Sequence, residues 1–231
     1  ARMQDYQTID PLIDAENEPY ERIPQFLFSG RWDRNIIRFT SENELVNFDR
    51  SVGTTGWRLD LTEEVELAFT KPGMFLTPAL ALRQTNYWLD NRLPGEKTEF
   101  SRTLPVASID AGLTFDRVAG MSRGWTQTIE PRVLYVHVPF EDQTGFPVFD
   151  TITPTFNLVQ LFRKYRYLGA DRIADTDQLS LGVTTRLIDL NTGQERLTGT
   201  LGQTRYLGAQ RVMLPDQPLG APPTRAPQWR S

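Results

Sequence analysis

From Gln178 onward the chain alternates: Gln178, Ser180, Gly182, Thr184 and Arg186 interleave with Leu179, Leu181, Val183, Thr185 and Leu187. Successive side chains of a strand point to opposite faces, so this period of two predicts a strand with one wet and one oily face. After Asp189-Leu190-Asn191-Thr192-Gly193-Gln194, whose Asn and Gly tolerate left-handed backbone, Leu197, Gly199 and Leu201 alternate with Arg196, Thr198, Thr200 and Gly202. The two runs read as a β-hairpin within residues 168–206. The second has the thinner oily face, because Gly199, Gln203 and Arg205 fall where apolar side chains belong.

The same pattern recurs upstream. A proline-rich, acidic approach leads to a first strand at Phe26, Leu27 and Phe28, and Ile37 to Phe48 predict a strand pair or one long strand over 35–49. Trp57, Leu59, Leu61, Val65, Leu67 and Phe69 make a long one-sided strand, Lys71-Pro72-Gly73 a tight turn, and residues 74–88 the return strand. Ala107, Ile109, Ala111, Leu113 and Phe115 then alternate with Ser108, Asp110, Gly112 and Thr114, before a turn over 116–124. In the next strand Ile129, Pro131, Val133 and Tyr135 face away from Thr128, Glu130 and Arg132; Pro131 has no N–H to donate, which predicts a bulge or weakened pairing there. Residues 139–175 form the longest irregular stretch, with a short helix expected at 157–164. The expected fold is all-β, an antiparallel up-and-down meander of about nine strands.

A chain of 231 residues with 39% hydrophobic content folds, and its net charge of −4 with scattered Lys and Arg argues against a nucleic-acid partner. No run approaches the ~18 apolar residues of a membrane helix, but membrane strands need only ~9–11 residues with every second one apolar. The chain has no cysteine, which excludes a disulfide framework or a thiolate metal site within it. Its one histidine, His137, sits on a predicted strand with no nucleophile elbow nearby, so catalysis through it is not expected, and neither is a cofactor. The acids Asp171, Asp175 and Asp177 are spaced like part of a calcium loop but lack its glycine turn and distal glutamate; they read as solvated loop acids.

Two alternatives fit the alternation. In a soluble sandwich the charged residues Arg58, Asp60, Glu64, Glu66, Asp110, Glu130, Arg132 and Arg186 face water, together with Thr184, and the oily set Ile109, Leu113, Phe115, Leu179, Leu181, Val183 and Leu187 covers a core. In a membrane barrel the first set lines a lumen and the second meets lipid. No amphipathic helix long enough to cover such a sheet is evident. Parity also sorts the short turns at 70–74, 116–124 and 189–195 to one end, and the long connections at 89–100 and 139–175 to the other, as in outer-membrane barrels. Trp57, Tyr87, Trp88 and Trp125 near strand ends suit the two water interfaces of a bilayer.

The segment QTIEPRVLYVHVPFEDQTGFPVFDT, followed by QLFRKYRYLGADRIADTDQLSLGVTTRLID and GQERLTGTLGQTRY, resembles the barrel domain of the LptD family of LPS-assembly outer-membrane proteins. YQTID, EPYERIPQF, TNYWL, SRTLP, SIDAGLTFDR and the terminal WRS fall in the family's order, so the likeness spans essentially all 231 residues, most specifically Gln127 to Tyr206. The resemblance implies one part of a large transmembrane outer-membrane barrel that releases lipopolysaccharide into the outer leaflet, with no enzymatic step. It implies a plug lipoprotein, LptE, in the lumen, and a bridge protein, LptA, on an N-terminal jellyroll that lies outside this chain, as do the closing strands. It makes residues 139–175 a long extracellular loop. Beside it stand a soluble all-β carbohydrate-binding module, using exposed Trp and Tyr as sugar platforms, and a general porin.

Overall fold

The structure, a computed structural model, describes residues 2–4, 18–119, 124–155 and 160–215. It holds eleven strands: β1 (Arg2–Gln4), β2 (Glu21–Arg34), β3 (Ile37–Asp49), β4 (Thr55–Leu67), β5 (Phe69–Lys71), β6 (Met74–Asp90), β7 (Glu99–Leu113), β8 (Phe115–Ala119), β9 (Trp125–Val138), β10 (Thr176–Asp189) and β11 (Glu195–Tyr206). They form one antiparallel sheet in the order β1-β2-β3-β4-β6-β7-β9-β10-β11, with β5 on β6 and β8 on β9. This is the expected meander. The sheet is not closed: β1 and β11 lie at its two ends.

The extra strands arise where two prolines break the ladder. The β4–β6 pairing stops at Glu66↔Ala79 and resumes as Phe69↔Leu76, a gap that faces Pro78. The β7–β9 pairing stops at Gly112↔Arg132 and resumes as Phe115↔Ile129, a gap that faces Pro131. A proline cannot supply the N–H its neighbour needs, so the ladder fails on one side while Pro78↔Ile109 and Pro131↔Val183 stay paired on the other. Each gap frees an amide that a neighbouring turn accepts: Ala68 N–H donates to Ile36 O and Thr114 N–H to Gly73 O, both at 2.7 Å. The weakened pairing expected at Pro131 is therefore present, as a break rather than a bulge.

Residues 35–49 resolve into a turn and one strand. Asn35, at φ 55°, turns the chain between β2 and β3, and asparagine is the residue after glycine that best tolerates that conformation. Four short connections, at 35–36, 72–73, 120–124 and 190–194, share one end of the sheet by antiparallel parity; those at 50–54, 91–98 and 139–175 share the other. Residues 157–159 of the helix expected at 157–164 lie outside the described residues, and Gln160 to Arg163 form a single turn closed by Arg163 N–H on Gln160 O. The 116–124 turn is shorter than expected, since Phe115–Ala119 pairs as β8.

The two faces differ. Among the described residues no loop or second layer packs on the open face, and Trp32, Leu80, Leu82, Ile109, Phe115, Leu181 and Leu201 are 47–80% exposed. Residues 139–155 and 160–175 lie on the other face and bury Ala81, Leu104, Val106, Leu134, Val136 and Val138 beneath Ile173, Phe162 and Tyr165. A second patch, Tyr87, Leu89 and Phe100, lies beneath Phe146 and Phe149.

Candidate functional site: an ion-pinned loop on the charged face

Every residue of the expected polar set lies on the loop-covered face, and most are paired there. Arg132 meets Asp110 at 2.5 Å; Arg186 meets Glu130 at 3.1 Å and Glu195 at 2.8 Å; Glu64 meets Lys164 of the loop at 2.5 Å; Glu66 pairs with Arg38. Thr184 shares a hydroxyl contact of 3.0 Å with Thr200. Of the expected oily set, Ile109, Leu113, Phe115, Leu181 and Val183 are exposed on the open face, and Leu179 and Leu187 are half-buried there.

Arg58 does more than line this face. It projects from β4 with 1% of its side chain exposed and gathers three carboxylates. Its Nη1 donates to Asp171 Oδ1 at 2.7 Å and to Asp150 Oδ1 at 2.7 Å; its Nη2 donates to Asp150 Oδ2 at 2.9 Å and to Glu44 Oε2 at 2.5 Å. The guanidinium also sits 4.7 Å over the Phe48 ring, which stacks on Phe149 of the loop at 4.5 Å. A guanidinium's flat fork holds Asp150 through both nitrogens while reaching Asp171 and Glu44, a bidentate geometry that the single nitrogen of a lysine ammonium does not offer.

Asp171 is the matching hub within the loop. Its Oδ2 accepts the backbone N–H groups of Phe149, Asp150 and Thr151 at 2.8, 2.8 and 3.2 Å, and its Oδ1 accepts Tyr87 Oη–H at 3.0 Å as well as Arg58. Burial alone pushes the Asp171 carboxyl up, but Arg58 and these amides outweigh it and hold the group down at about 2. The Asp150 carboxyl moves the other way, because its burial outweighs the pull of Arg58 and Asp171 stands beside it. The expectation of solvated loop acids therefore fails: Asp171 is fully buried, and Asp175, 4% exposed, accepts Arg211 N–H at 2.8 Å and Val212 N–H at 3.0 Å. The three acids share no partner, Asp177 accepting Tyr135 Oη–H at 2.8 Å, and no metal-binding group occurs among the described residues.

A second guanidinium locks the adjacent turn. Arg102 of β7, 1% exposed, donates to Gln143 Oε1 at 2.6 Å, Asp171 O at 3.1 Å, Thr85 Oγ1 at 2.9 Å and Ala170 O. Gln143 closes the ring by donating Nε2–H to Ile173 O at 2.7 Å and accepting Ile173 N–H at 3.0 Å. Below this, Gly182 and Gly202 are level with Arg132 and leave bare backbone, so Phe162 and Leu161 lie directly on the sheet; a Cβ at Gly202 would sit 2.1 Å from Leu161 Cδ2. Arg132 fits between the Phe162 and Phe75 rings, 4.4 and 5.8 Å from their centroids.

Tyr87 corrects the expected interface belt. Trp57, Trp88 and Trp125 take open-face positions, whereas Tyr87 is 1% exposed on the loop-covered face, where its hydroxyl finds Asp171. Sequence reasoning also missed the roles of Arg102, Gln143, Asp150 and Asp171; Arg102 sits at a wet-face parity position of β7, and that was the one signal pointing to it. His137 is exposed on the open face, across from Asp177 and Ala107.

The amino-acid sequence matches a family model over its whole length: the model for LPS transport system D covers residues 1–231. The chain belongs to the LptD family. Relatives named LPS-assembly protein LptD include that of Nitrosococcus oceani, 42% identical over 93% of this chain and 30% of its own length. That of Methylococcus capsulatus is 40% identical over 94% of this chain and 22% of its own, and that of Aromatoleum aromaticum 40% identical over 94% and 28%. The chain thus spans 22–30% of the length of these LptD proteins.

Proposed function

We propose that this chain is a wall segment of an outer-membrane lipopolysaccharide translocon. The open face meets acyl chains, the charged face lines the lumen, and residues 139–175 are an extracellular loop folded into that lumen. One observation carries this reading: large apolar side chains on the open face stand 40–80% exposed while a loop and a salt-bridge network cover the other face. A soluble sheet would cover its oily face first, since each large apolar side chain buried is worth about 1.5–3 kcal/mol.

On this reading the work is transport, with no chemical step. Lipopolysaccharide is the cargo, the LptE lipoprotein the plug, and LptA docks on the N-terminal jellyroll of the complete protein. Arg132 and Arg186, each with 40% of its side chain exposed, are the cations open to an anionic cargo or to the plug, whereas Arg58 is spent on the loop. Depletion of the full-length protein from its host tests the proposal. The expected result is loss of newly made lipopolysaccharide from the cell surface, and of the protein's signal from the outer-membrane fraction; undiminished surface lipopolysaccharide overturns it.

A further inference from the structure

On β4 the open-face positions run Trp57, Leu59, Leu61, Glu63, Val65 and Leu67, so one carboxylate interrupts an oily row. Glu63 stands opposite Ser41 of β3 on one side and Leu82 of β6 on the other. Ser41 Oγ–H donates to Glu63 Oε1 at 2.8 Å, and Asn43 Nδ2–H donates to Ser41 Oγ at 2.9 Å. Both ends of this short chain are left unfilled: Glu63 Oε2 and Asn43 Oδ1 are buried with no hydrogen-bond partner among the described residues. No Lys, Arg or His occupies the open-face positions of this row, or of the rows directly above and below it, on β2, β3, β4 and β6. An uncompensated carboxylate on a face turned to lipid is costly, and it calls for a donor from outside the wall.

The surroundings specify that donor. Gly30 of β2 lies beside Ser41 in the same row, and a Cβ there would meet nothing within 4 Å, so the row opens into a notch. Phe28 and Trp32 stand on either side of Gly30 on the same face, 67% and 52% exposed. Two aromatic rings, a carboxylate and an amide oxygen suit an ammonium group, whose N–H bonds seek acceptors and whose charge is drawn to ring faces. The notch also lies at headgroup depth. From its row toward the turn at 72–73, the open face of β6 is oily with Leu82 and Leu80; in the other direction β6 and β7 present Gln84, Asn86, Thr103 and Ser101. An outward apolar band that gives way to polar side chains marks the edge of the hydrocarbon. We infer that this notch holds the primary ammonium of a lipid headgroup, among Glu63, Asn43 and the rings of Phe28 and Trp32. Glu63 swings from Ser41 toward the notch to meet it, a side-chain adjustment common at binding surfaces. The inference rests on the lipid-facing reading of the open face, and it sets an amine-bearing lipid against the outside of the wall, apart from the lumen.

The test uses the full-length protein with its partners in phosphatidylglycerol bilayers that carry a trace of phosphatidylethanolamine, photoactivatable close to its headgroup. Crosslinked peptides are identified by mass spectrometry. The expected result is labelling within residues 28–43 that unlabelled phosphatidylethanolamine or amine-bearing lipid A competes away, and that N-acetylated phosphatidylethanolamine, which keeps the phosphate and loses the ammonium, does not. Whichever amine lipid competes better is the source of the headgroup. Glu63→Gln, which removes the charge, and Gly30→Leu, which fills the notch and keeps it, should each lower the labelling about tenfold, the weight of one hydrogen bond to a charged group. A second lipid, photoactivatable in its acyl chain, is applied to the same preparations and should label Leu181 and Val183 in every variant. Competition by the N-acetylated lipid as strong as by the amine, or labelling of 28–43 unchanged in both variants, overturns the notch and leaves the lipid-facing reading standing. Failure of the acyl-chain probe to label Leu181 and Val183 fails the lipid-facing reading itself.

Discussion

Asp171 Oδ1 lies 2.7 Å from Arg58 Nη1 across 113 residues of sequence, and this contact fixes where the long loop sits on the wall. A buried ion pair contributes little net stability, because desolvating both groups costs about as much as their attraction returns. The energy of docking comes instead from Leu134, Val136, Leu104 and Ile173, closed off together. The ion cluster selects which of many oily arrangements is adopted.

Breaking one partner is costly even where the intact pair is nearly neutral. Arg58→Met strands Asp171 and Glu44 without a cation and leaves Asp150 only Arg22, 3.3 Å away, and it is expected to destabilise the docked loop by about 3–5 kcal/mol. Limited proteolysis within 139–175 should accelerate sharply, while hydrogen exchange in β9 and β10 stays slow. Equal protection of the loop in the variant would show that Arg58 does not position it.

The same cluster sets an acid limit. Asp171 is held at about 2, below the ~3.9 of an unfolded aspartate, so its contribution is complete above pH 4 and drains away as pH falls through about 2. Asp171's share of loop protection should therefore hold from pH 7 to about 4 and be lost below, after Asp150, whose carboxyl burial raises, has taken up its proton. In Asp171→Asn that acid-dependent step disappears, and protection is lower at every pH because the amide answers Arg58 without charge.

Gly202 tests the close approach of the loop. Gly202→Val places a branched side chain where Leu161 rests on the backbone, and overpacking of that kind costs about 1–3 kcal/mol. Leu161 and Phe162 should be displaced, visible as faster quenching of a probe on the loop. The matching change at Gly193, whose Cβ would meet nothing, tests only the left-handed turn and should leave the loop in place.

Much of the wall was legible because alternation is local: each strand advertises its faces, and Pro131 announces its broken ladder through an N–H it lacks. Pro78 carried the same signal unread, since one oily run from Val65 to Phe69 masks the interruption at Ala68. The site was not legible. Residues 139–175 have no periodicity, and their placement depends on meetings such as Asp171 with Arg58 and Gln143 with Arg102, 113 and 41 residues apart. Charge on a strand also looks the same to a sequence reader whether it faces water, like half-open Arg186, or is sealed, like Arg58. Tyr87 misled for a related reason: a tyrosine near a strand end suits a bilayer interface and a buried carboxylate equally.

The central claim is that one face meets lipid and the other a water-filled passage, and because these 231 residues hold no cysteine, single labels can be placed in them once any cysteine elsewhere in the full-length protein is replaced. Single cysteines at Leu113, Leu181 and Val183, and at Glu130, Thr184 and Arg186, would carry nitroxide labels in the full-length protein reconstituted into bilayers. Oxygen, which concentrates in hydrocarbon, should relax the first three labels strongly, and a water-soluble nickel chelate the last three. Both sets responding alike, or the pattern reversing, would contradict the account.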